Sequence, residues 1–434
     1  MVHTFKCNGN CLVYDSESGA LLKVDETVYA LLCGGRPEGP EADEALAEIE
    51  ELKREGVLYA SPNPCKSVVK SKEIKSLCVH ISHDCNLRCG YCFADEGAYH
   101  GKREYMSVEV GRAAVDFLIA RSGKRHNLEM DFFGGEPLMN YDVLKDMVEY
   151  GKERAKEAGK EFKFTVTTNG LLLDDEKIEY LDREMDNVVM SLDGRREIND
   201  AVRKTPNGKG SFDLIADKFR RFAEKRGEKS HYLRGTFTSL NSDFSKDVLY
   251  MADMGFEQIS VEPVVLPADH PLAIKEEQLP VVLKEYEILA QEYVKRRKNG
   301  KWFSFFHFAL DLDGGPCFKK RITGCGAGSE YMAVAPNGDI YPCHQFVGEK
   351  EYLIGNVKSG MLDEGIRDRI SRSTVFTKKE CADCWAKYLC SGGCNANAVH
   401  FSGDINRPYA MACEMMKKRL ECAMWVKAEE AEEN

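Results

Sequence analysis

The sequence contains no apolar run near the roughly 20 residues that a membrane-spanning helix needs, so no membrane association is expected. Its opening residues, Met1-Val2-His3-Thr4-Phe5-Lys6, lack the apolar core of a secretory signal, which makes the cytoplasm the expected location. Basic charge is not in excess either. Sixty Lys and Arg against 71 Asp and Glu leave a net charge of −11, a poor balance for gripping nucleic acid. In a reducing compartment a disulfide scaffold is unlikely as well. What is present is a 434-residue chain, 43% apolar and 30% charged, long enough for two or three cores. It carries 17 cysteines, whose spacing is then to be read as metal or redox chemistry.

The cysteines leave a gap of their own, with none between Cys92 and Cys317. Two metal-bearing regions separated by a cysteine-free body are the economical reading. Residues 1–70 read as a small unit. Strand-like runs at Cys11–Tyr14 and Leu21–Val24 flank the turn Ser16-Glu17-Ser18-Gly19. Asp25 is suited to cap a helix through Leu32 that ends at Gly34-Gly35. A second helix over Glu41–Glu55 aligns Leu46, Ile49 and Leu52, and Ser61-Pro62-Asn63-Pro64 reads as a linker.

From Ser76 the pattern alternates. Strands are expected at Leu77–Ser82, Leu128–Phe133, Phe162–Thr168, Val188–Leu192, His231–Thr238 and Gln258–Val261. Amphipathic helices at Val108–Ala120, Tyr141–Ala158, Phe212–Lys225 and Lys246–Met254 separate them, and a long helix over Gln278–Lys298 leads to the cysteine-rich end. Repeated βα units imply an α/β fold with a parallel sheet, and six of them imply a partial (β/α)6 barrel. The expected domains are thus 1–70, 76–300 and 301–434.

His83-Asp84-Cys85-Asn86-Leu87-Arg88-Cys89-Gly90-Tyr91-Cys92 follows the first barrel strand, at the end where barrels build active sites. Three thiolates on a four-iron cluster would leave one iron open; a zinc site lacking one ligand is the competing reading. With Tyr91 in its aromatic slot, this C-x3-C-x-aromatic-C resembles the radical S-adenosylmethionine (SAM) superfamily. Further matches stand in order. Gly134-Gly135-Glu136-Pro137 looks like the element that holds the methionyl amine, two glycines allowing close approach and a carboxylate receiving the charge. Thr168-Asn169-Gly170 and Ser191-Leu192-Asp193-Gly194 end the third and fourth strands. The resemblance implies SAM contacts from Asn169, Ser191 and Asp193, with Arg203, and less so Arg234, as partner of the SAM carboxylate.

The second region reads Cys325, Gly338, Cys343, then Cys381-x2-Cys384-x5-Cys390-x3-Cys394, and finally Cys413. This resembles the SPASM domain of peptide-modifying radical SAM enzymes, with Cys317 in the place of an eighth ligand. The resemblance implies three [4Fe-4S] clusters. One is held by Cys85, Cys89 and Cys92, an inner auxiliary one by Cys325, Cys343 and Cys394 with either Cys317 as fourth ligand or an open site for a substrate thiol, and an outer one by Cys381, Cys384, Cys390 and Cys413. Two zinc-ribbon-like knots are the competing reading. Cys7, Cys11, Cys33, Cys65, Cys78 and Cys422 fit no cluster spacing and read as buried or free thiols.

The N-terminal unit resembles a winged-helix peptide-recognition element that adds a leader peptide as a strand. From His3-Thr4-Phe5-Lys6 to Tyr341-Pro342-Cys343-His344-Gln345-Phe346, the chain looks like the SCIFF maturases, which install thioether cross-links in ranthipeptides through a 5′-deoxyadenosyl radical. That implies a cysteine-rich precursor peptide as partner, bound through its leader, and a reductant such as flavodoxin or ferredoxin. His344 is a candidate base for the substrate thiol. Anaerobic sulfatase-maturase chemistry is the alternative activity, and a zinc-stabilised, non-catalytic peptide-binding scaffold the alternative of another class.

Overall fold

The structure is a computed structural model describing residues 1–62, 73–312 and 318–432. Cys65, Cys317 and the second half of the expected linker therefore lie outside the described residues. The chain forms two compact units, each assembled from separated stretches. Met1–Val69, Glu276–Gly324 and Ser373–Asn434 make one; Lys70–Lys275 and Cys325–Arg372 make the other.

The second unit is an α/β body with parallel strands. Six of them stand side by side in chain order: Ser76–Ser82, Asn127–Gly134, Glu161–Thr168, Asn187–Ser191, His231–Phe237 and Gln258–Pro263. The expected strands agree with these to within two residues. Every residue of the first strand is buried, which is why its sequence, Ser-Leu-Cys-Val-His-Ile-Ser, shows no alternation. The third strand does alternate, with Phe162, Phe164 and Val166 inward. Tyr331–Val334 pairs parallel with the first strand, and Asp339–Tyr341 and Gly355–Asn356 extend the sheet antiparallel.

Helices Val108–Arg121, Tyr141–Ala158, Phe212–Arg226 and Ser245–Asp253 occupy the expected crossovers. Tyr141–Ala158 buries Val143, Leu144, Met147 and Val148, and ends at Gly159 with φ +66°. Two further helices, Asp175–Glu184 and Arg196–Val202, lie outside the expected set: both are short and largely polar, and the first buries only Ile178 and Leu181.

In the other unit, Val2–Cys7, Asn10–Asp15 and Leu21–Val24 form an antiparallel sheet in that order. Asp25 caps helix Glu26–Leu32 by accepting from the Val28 amide at 2.8 Å. Helix Pro40–Arg54 buries Ala42, Ala45 and Ile49, whereas Leu46 is exposed. The expected apolar face was thus rotated: the stripe runs through small alanines because Val28 packs close against Ala45 and Ile49. Helices Leu279–Lys298 and Ala410–Ala431 pack on each other. Among the described residues no helix is long and apolar enough to cross a membrane.

Candidate active site

The first barrel strand delivers the chain directly into the loop of Cys85, Cys89 and Cys92. The Cys85 amide donates to Asp84 Oδ1 at 2.9 Å, and Arg88 Nη1 donates to the Cys85 carbonyl at 2.6 Å. Arg88–Cys89 pairs antiparallel with Arg203–Lys204, which sets Cys89 opposite Arg203. The three thiols share one cavity, partly open to solvent, with Tyr91, Glu136, Asn169, Ser191 and Arg203 in its wall. Burial pushes the Cys85 thiol up to about 12 and the Cys89 thiol up to about 11. Bare, they stay protonated; a bound metal supplies the positive charge that makes them thiolates.

Two close approaches explain the paired glycines. A Cβ on Gly134, at φ +124°, would meet the Ser82 carbonyl at 2.2 Å, and one on Gly135 would meet that of Asp84 at 2.1 Å. Glu136 follows, 1% exposed, and accepts from Thr168 Oγ1 at 2.8 Å, the Asn169 amide at 2.8 Å and the Leu138 amide at 3.1 Å. The carboxylate thus ties the second strand end to the third, and Pro137 begins the short turn behind it. Asn169 Nδ2 donates to Asn86 Oδ1 at 2.7 Å and lies 3.6 Å from the Cys85 sulfur. Gly170 is required by packing, since a Cβ there would meet Phe219 at 2.3 Å.

A third group closes the cavity. Tyr91 donates its hydroxyl to Asp193 Oδ2 at 2.6 Å and accepts from Arg203 Nη1 at 2.6 Å. Arg203 is 8% exposed, and its buried Nε has no hydrogen-bond partner. An unsatisfied guanidinium N–H in a cavity wall, a glycine cradle and three thiols suit an anionic-headed, amine-bearing ligand beside an iron–sulfur cluster. Arg234, by contrast, is half-exposed and pairs with Glu262 at 2.5 Å, outside the lining of this cavity.

The remaining cysteines divide between the units. Cys325 and Cys343 belong to the barrel unit, where the Gly328 amide after Cys325 donates to the Pro342 carbonyl at 3.0 Å. Cys381, Cys384, Cys390 and Cys413 belong to the other and lie within electrostatic reach of one another. Cys394 belongs to that unit too. Among the described residues no three His, Cys, Asp or Glu side chains form a group able to hold a single metal ion. Of the cysteines outside the cluster patterns, Cys7, Cys11, Cys78 and Cys422 are buried and Cys33 is exposed.

His344 contacts the rings of Phe93 and Phe133, and its Nδ1 lies 3.2 Å from the Tyr331 hydroxyl. Burial, with Arg234 nearby, lowers it to about 4, so it stays neutral and is a weak base. Sequence reasoning passed over Tyr99, whose ring stacks on His83 beside the cluster loop, and Lys378, buried among the last cysteines. Neither has a spacing signal; only the fold brings them in.

Residues 79–245 match the model of the Radical SAM superfamily, and residues 325–385 that of SPASM, an iron–sulfur cluster-binding domain. The chain carries a radical SAM domain and a SPASM domain. Both imply iron–sulfur clusters, and the first implies SAM. The chain is similar to the cysteine-type anaerobic sulfatase-maturating enzyme of Clostridium novyi, 24% identical over 75% of this chain and 89% of that protein. It is 23% identical to the radical SAM cyclopropyl synthase TigE of Paramaledivibacter caminithermalis, over 96% of this chain and 93% of that one. The solved structure of anSMEcpe with bound AdoMet aligns at TM-score 0.67 and 21% identity, covering 81% of this chain and 93% of that one. Streptococcus suis SuiB bound to precursor peptide SuiA aligns at TM-score 0.54 and 19% identity, covering 90% and 93%. Both structural likenesses concern the fold.

Proposed function

We propose that this chain is a peptide-modifying radical SAM enzyme that joins a cysteine sulfur to an acceptor carbon in a cysteine-rich precursor peptide. The cavity in which Cys85, Cys89 and Cys92 face the Tyr91, Arg203 and Glu136 group carries the radical SAM part of the reading. The cysteine pattern and its resemblance to SCIFF maturases carry the thioether part. Relatives named for maturation, and a fold shared with a protein solved on its precursor peptide, support a peptide as substrate.

Bound SAM would supply, on one-electron reduction, the 5′-deoxyadenosyl radical chemistry for abstracting a hydrogen atom from a peptide carbon. The chain's own part is positional. Arg203 would receive the carboxylate of the ligand and Glu136 its amine, and the two glycines would give it close backbone approach. Cys317, Cys325, Cys343 and Cys394 are proposed to hold an inner auxiliary cluster, and Cys381, Cys384, Cys390 and Cys413 an outer one. Together with the first cluster these make three. Each cross-link removes one hydrogen atom to the radical and one thiol proton, and leaves one electron for the auxiliary clusters to accept.

Mass spectrometry of a cysteine-rich peptide after turnover tests the reading. Loss of two hydrogens and one free thiol per link is expected, with sulfur retained. The similarity to a sulfatase-maturating enzyme favours one other outcome, a peptide in which the cysteine sulfur has been replaced by an aldehyde oxygen. That product would replace the thioether assignment while keeping the radical SAM one. Peptide bound but unchanged, by a brown, reduced enzyme supplied with SAM, would count against both.

A further inference from the structure

The loop before Cys381 buries a positive charge that the described side chains do not neutralise. Lys378 is 2% exposed. Its Nζ donates to the Gly392 carbonyl at 2.7 Å and to Asn395 Oδ1 at 2.9 Å, both neutral acceptors. Among the described residues no carboxylate pairs with it. A buried ammonium without a counter-charge costs several kcal/mol, so such groups are normally paired or neutralised. The groups that favour its charged form are the sulfurs of Cys381, Cys390, Cys394 and Cys413, while burial pulls the amine down. As thiols these sulfurs carry no charge. Three of them, Cys381, Cys390 and Cys413, belong to the proposed outer ligand set and Cys394 to the inner one; as cluster ligands they would be part of anionic assemblies that gain further negative charge on reduction.

Gly392 links the two parts. The Gly393 amide donates to the Cys390 sulfur while the Gly392 carbonyl, in the same peptide group, accepts from Lys378, so that group carries the polarisation of the cation to a ligand atom. The lysine itself holds no metal. Its distance from solvent keeps its field unscreened at the sulfurs.

We propose that Lys378 is the built-in counter-charge of the outer auxiliary cluster and holds that cluster's reduction potential up. A fixed cation stabilises the more negative, reduced cluster more than the oxidised one, which makes the cluster a better electron acceptor. The proposal rests on Cys381, Cys384, Cys390 and Cys413 as the outer ligand set.

Redox titration of the reconstituted holoenzyme followed by electron paramagnetic resonance tests it, with Lys378→Met, Lys378→Gln and Lys378→Arg beside the wild type. SAM perturbs only the signal of the cluster it binds, so the unresponsive signals report the auxiliary clusters. Both neutral variants are expected to move one auxiliary signal to more negative potential, with the SAM-responsive signal unmoved and Lys378→Arg close to wild type. Loss of that cluster's iron in the neutral variants, with retention in Lys378→Arg, would support the same role. An unmoved auxiliary potential at full iron content in Lys378→Met and Lys378→Gln overturns it. So does equal loss of iron in all three variants, because charge would then not be what matters. If wild-type iron and sulfide suffice only for the other clusters, the outer ligand set itself is wrong, a result separate from any effect of Lys378.

Discussion

The Tyr99 hydroxyl donates to the Gly134 carbonyl at 3.1 Å from a backbone held at φ +51°, a conformation bulky residues rarely adopt. Asp95, Glu96 and His100 in the same segment also have positive φ. Such strain, about 1–3 kcal/mol per residue, persists only where the surroundings over-determine it. Here they do. The Tyr99 ring stacks on His83 at 4.6 Å and leans on His80 at 4.5 Å, and a Cβ on Gly97 would meet Gly135 Cα at 2.9 Å. The segment is thus wedged against both the cluster loop and the glycine bend. Tyr99→Phe removes this hydrogen bond from a buried carbonyl and is expected to lower stability by about 1–2 kcal/mol. SAM affinity should fall with it while iron content stays unchanged. Denaturant melts and equilibrium SAM binding check both, and unaltered SAM affinity in a destabilised variant would restrict Tyr99 to folding.

Arg203 is the side chain whose loss should be felt most by SAM itself. Its Nη1 is engaged by Tyr91, whereas its Nε is buried and free to donate. Arg203→Lys keeps a charge but gives up the planar fork, and a charge-assisted hydrogen bond is worth about 1.5–3 kcal/mol. Roughly a tenfold or greater weakening of SAM binding is expected, at constant iron content. Arg234→Lys should leave SAM affinity within about twofold, because that side chain is exposed, engaged by Glu262 and outside the cavity lining.

Burial pushes the Glu136 carboxyl up to about 7, against the opposing donors Asn169 and Thr168. A charged amine is received by the ionised form, so SAM affinity is expected to fall as pH drops below about 7. In Glu136→Gln, binding should be weak and insensitive to pH over the same range. The sign for stability is opposite. A folded-state value raised above the unfolded one favours the native state at low pH, and that contribution is lost as pH rises through about 7. Without SAM, this loss of stability as pH rises towards about 7 should be absent in Glu136→Gln, and its persistence in melts of that variant would assign it to another group.

Much of the barrel was legible because parallel strands and their helices announce themselves through runs and periodicity, and because the cluster loop, the glycine pair and the two strand-end motifs fall where one strand stops. Arg203 was legible only through resemblance. Its link to Cys89 is a two-residue antiparallel bridge between segments over a hundred residues apart, for which no local pattern exists. Leu46 was misjudged because a small-residue stripe, not the largest side chains, faces the N-terminal core. Tyr99 and Lys378 escaped for a similar reason: a tyrosine and a lysine in loops look like ordinary surface, and it is tertiary burial that gives each its role.

A buried ion pair joins the N-terminal sheet to the stretch between Cys384 and Cys390. Glu17, in the turn after the second strand, pairs with Lys387 at 3.0 Å with the two side chains 3% and 10% exposed, and Tyr388 donates to the same carboxylate at 3.3 Å. His3 stacks on Trp385 at 4.0 Å within the same contact. Breaking a buried pair from one side costs about 3–5 kcal/mol. Glu17→Ala and Lys387→Met are each expected to lower stability by about that amount, and the double variant by less than the sum of the two. Because Lys387 lies between two proposed ligands, Glu17→Ala should also speed the release of iron to a chelator from the auxiliary signal that Lys378 controls. Iron release at the wild-type rate from a clearly destabilised Glu17→Ala protein would mean that the sheet and the cysteine loop share stability without sharing the metal.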